Sequence, residues 1–108
     1  MYIQDATIKE GRILEKVTGF EWDEGNREKS LVKHKVSNEE CEESFFDPSK
    51  KIQKDILHSK KEKRYVLIGK TNKGRRLYIV FTVRKDKVRV ISARNLNKKE
   101  YKLYEEKN

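Results

Sequence analysis

Residues 64–94 decide the fold: Arg-Tyr-Val-Leu-Ile-Gly (64–69), a turn signal Thr-Asn-Lys-Gly (71–74), Arg-Arg-Leu-Tyr-Ile-Val-Phe-Thr-Val-Arg (75–84), Lys-Asp (85–86), and Lys-Val-Arg-Val-Ile-Ser-Ala-Arg (87–94). Three β-rich runs separated by two turn signals read as a three-stranded antiparallel meander. A two-residue turn at Lys85-Asp86 pairs Arg84 with Lys87 and Val83 with Val88. Side chains alternate along a strand, so one face then carries Leu77, Ile79, Phe81, Val83, Val88 and Val90. The other carries Arg76, Tyr78, Thr82, Arg84, Lys87 and Arg89, with Val80, Ile91 and Ala93 among them. A three-residue turn, Lys85-Asp86-Lys87, would set Arg89 across from Val83 and mix charge into the apolar face, which favours the shorter turn. One face can line a core, and the other is suited to an anion.

The rest of the chain is read around that sheet. At 108 residues it forms one domain, and with 34% hydrophobic and 42% charged residues its core is small. No run approaches the ~18 apolar residues of a membrane span, and Met1 to Asp5 lack the pattern of a signal peptide, so a cytoplasmic location is expected. A single cysteine, Cys41, excludes an internal disulfide and a cysteine-based zinc site, and two histidines make a poor metal site. Net charge is +9, unevenly spread. Residues 1–48 hold 7 Lys+Arg against 12 Asp+Glu, whereas residues 49–108 hold 20 against 6. A chain so polarised points to a polyanion or an acidic protein partner, with a merely basic, soluble surface as the plain reading.

Residues 1–19 form an N-terminal extension that fits either a hairpin or an added helix. Phe20-Glu21-Trp22 reads as an edge strand, and Asp23 as the N-cap of a helix from Glu24 to His34. Lys33, His34 and Lys35 lie in or just past its last turn, where cations suit the helix dipole. Ser37 and Glu40 make a capping box, flanked by Val36 and Cys41 as the hydrophobic staple. A second helix then runs to about Phe46, burying Cys41, Phe45 and Ser44, before Asp47-Pro48 stops it. Cys41 is most simply a small buried apolar residue. Ile52 and its neighbours permit a strand, followed by a mobile basic loop His58-Ser59-Lys60-Lys61. Asn97 and Glu100 form another capping box, with Leu96 and Tyr101 as staple, opening a last helix to about Glu106. Helices segregated against an antiparallel sheet make an α+β, two-layer domain.

Cofactor motifs such as GxGxxG, a Walker loop or HExxH are absent, and no cofactor or metal is expected. The supply of Arg, Lys, Tyr, Glu and His suffices for metal-independent RNA cleavage. In that chemistry a 2′-OH attacks the adjacent phosphorus, cations hold the transition-state charge, and a side chain moves the proton.

The sequence also resembles a known family, the BrnT toxins. The resemblance rests on Phe20-Glu21-Trp22-Asp23, Asn26, Lys33-His34, Val36-Ser37, Glu40 and Phe46-Asp47-Pro48. It continues through Arg64, Gly69, Gly74-Arg75, Phe81-Thr82, Arg84 and the run Arg89-Val90-Ile91-Ser92-Ala93-Arg94, to Glu100 and Tyr104. It covers residues 20–106 and implies a RelE-like ribonuclease of a type II toxin–antitoxin module. It further implies a BrnA-like antitoxin, in hetero-oligomer with which the toxin reaches operator DNA and represses its own operon. Two departures stand out: the longer N-terminal extension, and Lys35 where the family usually has Gly.

On this reading Arg64, Arg94, His34, Lys33 and Glu40 are the catalytic candidates, and Arg76, Tyr78, Arg84, Arg89 and Tyr104 are candidates for binding RNA. Several guanidinium groups on one small sheet repel unless an anion sits among them, which is the argument for phosphate contact. Tyr78 and Tyr104 can stack on bases or donate to phosphate, although Tyr104 can equally pack the final helix. His34 and Glu40 also have plain structural roles, in closing one helix and capping the next. The alternatives to an enzyme are a non-catalytic nucleic-acid-binding or repressor-assembly module, and a surface that receives only an acidic protein.

Overall fold

The computed structural model describes residues 12–55 and 61–105. A 3-10 turn at Arg12–Leu14 leads into β1 (Gly19–Phe20), then α1 (Lys29–His34), α2 (Asn38–Phe45) and β2 (Lys51–Lys54). The meander follows as β3 (Tyr65–Lys70), β4 (Arg76–Arg84) and β5 (Lys87–Asn95). A 3-10 turn at Lys98–Glu100 opens the closing helix α3 (Tyr101–Glu105). The five strands make one sheet in the order β1-β5-β4-β3-β2. This is a small α+β domain, as the order of elements predicts.

The hairpin register is the expected one, with Arg84 opposite Lys87 and Val83 opposite Val88. Lys85 takes the left-handed conformation the tight turn needs (φ 56°). Leu77, Ile79 and Phe81 are wholly buried, and Val88 and Val90 nearly so. Beyond them the faces depart from simple alternation. Phe81 pairs with Val90 but Val80 pairs with Ser92, so Ile91 is an extra residue in a bulge. The bulge reverses the parity of the last strand. Ala93, expected on the open face, lies opposite Ile79 and is fully buried. Thr82, expected among the anion-facing residues, is 2% exposed, and its hydroxyl donates to the Lys63 carbonyl at 2.7 Å.

The edge strand is Gly19–Phe20 rather than Phe20–Trp22, and it runs parallel to β5, Gly19 beside Lys87 and Phe20 beside Val88. No hairpin joins the two, so nothing local sets their direction. The 3-10 turn before it contributes Ile13 and Leu14, and Val17 follows, all packed against the core. Residues 1–11 and the proposed loop at His58-Ser59-Lys60 lie outside the described residues.

α1 is shorter than expected. It starts at Lys29, not Glu24, because residues 24–28 form turns. Asn26 is 5% exposed, and its amide donates to the carbonyls of Glu21 and Val90 at 2.9 and 3.0 Å. That anchorage draws the segment onto the sheet and out of helical geometry. Asp23 accepts from the Gly25 N–H at 2.8 Å, but in a turn rather than a cap.

α2 matches its signals. The Ser37–Glu40 capping box is closed in both directions, and the staple residues Val36 and Cys41 are each 1% exposed. Phe45 packs edge-on against Phe20 and Phe81, with ring centroids 5.2 and 5.0 Å away. α3 lies over the opposite face, where Tyr104 joins Ile68 and Leu96 in a second apolar cluster. Its Asn97–Glu100 capping box is present. Tyr104 rather than Tyr101 covers Leu96, and Tyr101 is 40% exposed.

Candidate functional site

The open face of the meander is the basic surface, and its arginines are paired with carboxylates of the same chain. Arg94 grips Glu100 through both ends of its fork, at 2.8 and 2.9 Å, and lies 4.1 Å from the centroid of the Tyr78 ring. Tyr78 is its cross-strand neighbour. Arg76 meets Glu105 at 3.2 Å and stands 4.9 Å over Tyr101. Arg84 meets Glu62 twice at 3.2 Å. Arg89 is almost enclosed, binding Asp23 at 2.7 and 3.0 Å and Glu21 at 3.1 Å. Arg64, half-buried, precedes β3, and its carbonyl accepts from the Asp55 N–H at 2.8 Å. The repulsion argument therefore has a different answer from the expected one. The anions among these guanidinium groups are Glu21, Asp23, Glu62, Glu100 and Glu105.

These pairings shift the groups as simple electrostatics requires. The bond from Arg89, helped by the Gly25 N–H, pulls Asp23 down to about 2. Glu100 is held below its ordinary range by Arg94, and Glu62 by Arg84. Arg94 is raised in turn by its bond to Glu100.

Lys33, His34 and Glu40 belong to a different neighbourhood. Lys33 and His34 end α1 with exposed side chains. The carbonyls of His34 and Lys35 accept from Arg75 at 3.2 and 2.8 Å. Arg75 also reaches both Glu40 oxygens at 3.0 Å and the Asn95 side chain at 2.6 Å. Burial alone would raise the Glu40 carboxyl, but the Ser37 N–H and Arg75 outweigh it and hold it low. Glu40 is thus a capping and ion-pairing group, bound on the α2 side of the sheet, while Arg94 and Tyr78 share the α3 side.

Arg75 was not among the candidates, although a signal for it exists. It stands in phase with Leu77, Ile79 and Phe81, so its guanidinium enters the core-facing register and needs a carboxylate there. Tyr104 is also reassigned. Its hydroxyl donates to Asp47 at 2.7 Å, and burial together with that carboxylate raises it to about 12. It holds α3 in place and has no free hydroxyl to offer a phosphate. Cys41 is buried, and its thiol is pushed up to about 12 by burial and then by Glu40 and Glu42, which leaves it inert.

A family model described as the ribonuclease toxin, BrnT, of a type II toxin–antitoxin system matches residues 22–100. The chain belongs to the BrnT toxin family. The BrnT match runs from Trp22 to Glu100, so it takes in the Arg75 cluster, the Arg89–Asp23 pair and the Arg94–Glu100 pair. It also takes in Lys35, whose φ of 57° is a conformation that suits Gly. No protein of curated function matches the sequence. Among the described residues of this BrnT chain, no group of three or more His, Cys, Asp or Glu could hold a metal ion. None of its described helices is long and apolar enough to cross a membrane.

Proposed function

We propose that this BrnT chain is an endoribonuclease that cleaves RNA by attack of the 2′-OH on the adjacent phosphorus, without a metal. The family match supplies the activity class, and the single observation that favours this face is Arg94 lying 4.1 Å over the Tyr78 ring. A guanidinium so placed can bind phosphate in the plane of its fork once Glu100 yields that fork. Arg94, with Arg64 and Arg89, would stabilise the phosphorane-like charge. His34 and Lys33, exposed at the end of α1 in the other neighbourhood, would move protons or orient the 2′-OH from there, with the bound RNA bridging the two groups of side chains. Arg76 and Arg84 would hold flanking phosphates.

In this reading residues 20–106 are a RelE-like toxin domain and residues 1–19 an extension to it. The toxin acts in the cytoplasm to block translation. A BrnA-like antitoxin neutralises it in a hetero-oligomer and carries the complex to operator DNA.

The test is incubation of antitoxin-free protein with labelled single-stranded RNA in EDTA, beside a folded Arg94→Ala variant. Fragments ending in 2′,3′-cyclic phosphate are expected, with cleavage reduced about 100-fold in the variant. Equal cleavage by both proteins refutes the role of Arg94. A second reading, binding without scission, is favoured by the carboxylates already seated on Arg76, Arg84, Arg89 and Arg94. RNA that stays intact but is retained in a salt-dependent manner would select it.

A further inference from the structure

α3 and its capping turn present two carboxylates to the open face, and each sits on an arginine that lies over a tyrosine ring. Glu100 takes Arg94 over Tyr78, and Glu105 takes Arg76 near Tyr101. We infer that Glu100 and Glu105 act as built-in competitors for RNA phosphate, screening Arg94 and Arg76 so that these two residues set how tightly the face binds a polyanion. The inference rests on the RNA-binding reading above and adds a control element to it.

Three features support it. Carboxylate and phosphate take the same two-pronged geometry from a guanidinium, so the Glu100 oxygens stand where phosphate oxygens would. The capping turn keeps Glu100 beside Arg94 while no ligand competes. One of its oxygens accepts from the Asn97 N–H at 2.9 Å, and its own N–H donates to Asn97 at 3.0 Å. The helix behind it is tied down by Tyr104 on Asp47. The carboxylates, rather than the helix, must therefore yield to a ligand.

The two pairs differ in how readily they give way. The side chains of Arg76 and Glu105 are 32% and 59% exposed, and such a pair is held weakly. Those of Arg94 and Glu100 are 37% and 18% exposed and joined through both oxygens, so they resist exchange. Arg76 is the first contact for an incoming phosphate, and Glu100 is the gate to Arg94.

The test measures affinity for a short 2′-O-methyl RNA, which lacks the attacking hydroxyl and so reports binding apart from cleavage. Glu100→Gln keeps the acceptor needed for the cap and is expected to bind about tenfold tighter, the equivalent of one charge-assisted bond released. Glu105→Gln, at the exposed end of the helix, should gain less, about twofold. Both gains should vanish with the matching arginine removed, in Arg94→Ala and Arg76→Ala backgrounds. The control is Glu39→Gln, an equal charge change at an exposed site on α2, off the open face. Equal tightening by that control, or a gain that survives loss of Arg94, overturns the inference. Tightening by Glu100→Gln in a protein that cleaves no RNA would leave this inference standing and sink the ribonuclease reading of this chain alone.

Discussion

One guanidinium nitrogen of Arg75 reaches both carboxylate oxygens of Glu40 at 3.0 Å and the Lys35 carbonyl at 2.8 Å, while the other terminal nitrogen takes the His34 carbonyl and Nε the side chain of Asn95. The end of one helix, the start of the next and the last strand are thus joined through one side chain. Carbonyls at a helix end lack intrahelical partners, and a cation also suits the negative end of the helix dipole. The pair is mostly enclosed, with side chains 26% and 29% exposed.

Replacing Arg75 by Ala leaves Glu40 without its counter-charge and the α1 carbonyls without donors. The expected loss is about 2–3 kcal/mol, read as a lower urea midpoint. Arg75→Lys should recover only part of it, since an ammonium cannot serve the same fork. An unchanged midpoint in Arg75→Ala would show that the three elements are held by packing alone.

Lys35 closes α1 in the left-handed region, and the N–H groups of Lys35 and Val36 bond back to Leu31 and Ser30. A side chain is disfavoured there by roughly 1 kcal/mol. Lys35→Gly should therefore raise stability by about that amount, reduced a little by loss of a cation at the helix end. Lys35→Val should lower it. Thermal melts of the two variants in opposite directions would establish the strain.

Asp23 carries a pH prediction. Its carboxyl is at about 2 in the folded chain, below its ordinary value of 3.8, chiefly through Arg89. The unfolded state therefore takes up the proton first. The stability this group provides is present above the ordinary carboxylate range and is lost as pH falls from about 4 towards 2. Glu62 and Glu100, also depressed, add to the same slope. Urea midpoints should drop as pH falls from about 4 towards 2, and Asp23→Asn should flatten that drop in part. A variant with the full wild-type slope would remove Asp23 from the account.

The raised thiol of Cys41 has the opposite sign. Folding favours its protonated form, so that contribution is present below the thiol's ordinary value of 9.0 and is lost as pH rises towards about 12. Native protein should resist iodoacetamide at pH 8 and react only as fast as it opens. Prompt alkylation of folded protein would contradict the burial. Cys41→Ser places a hydroxyl in the same apolar site at a cost of about 1–3 kcal/mol.

Gly69 marks where α2 presses closest on β3. A Cβ there would lie 2.7 Å from the Ser44 carbonyl oxygen and 2.9 Å from Leu67 Cδ2. Backbone cannot step aside as a side-chain end can, so Gly69→Ala should cost about 1–3 kcal/mol. A neutral substitution, measured by chemical unfolding, would mean that α2 shifts without penalty.

The sequence by itself determined the features that depend on neighbours a few positions away. Alternation gave the core face of β4, the turn at Lys85-Asp86 gave its register with β5, and two capping boxes gave the starts of α2 and the C-terminal turn. Each is set by residues within about four positions or directly across a hairpin. Tertiary structure alone decided the partners of the charges. Arg89 finds Asp23 across 66 positions, Arg75 finds Glu40 across 35, and Arg84 finds Glu62 across 22. No local pattern encodes such distances, because they follow from how the helices and the edge strand close around the sheet. The same closure converted Asp23 from a helix cap to an ion-pair partner and laid β1 parallel to β5. Together with the bulge at Ile91 that turned Ala93 inward, it left the basic face partly neutralised by the chain's own carboxylates.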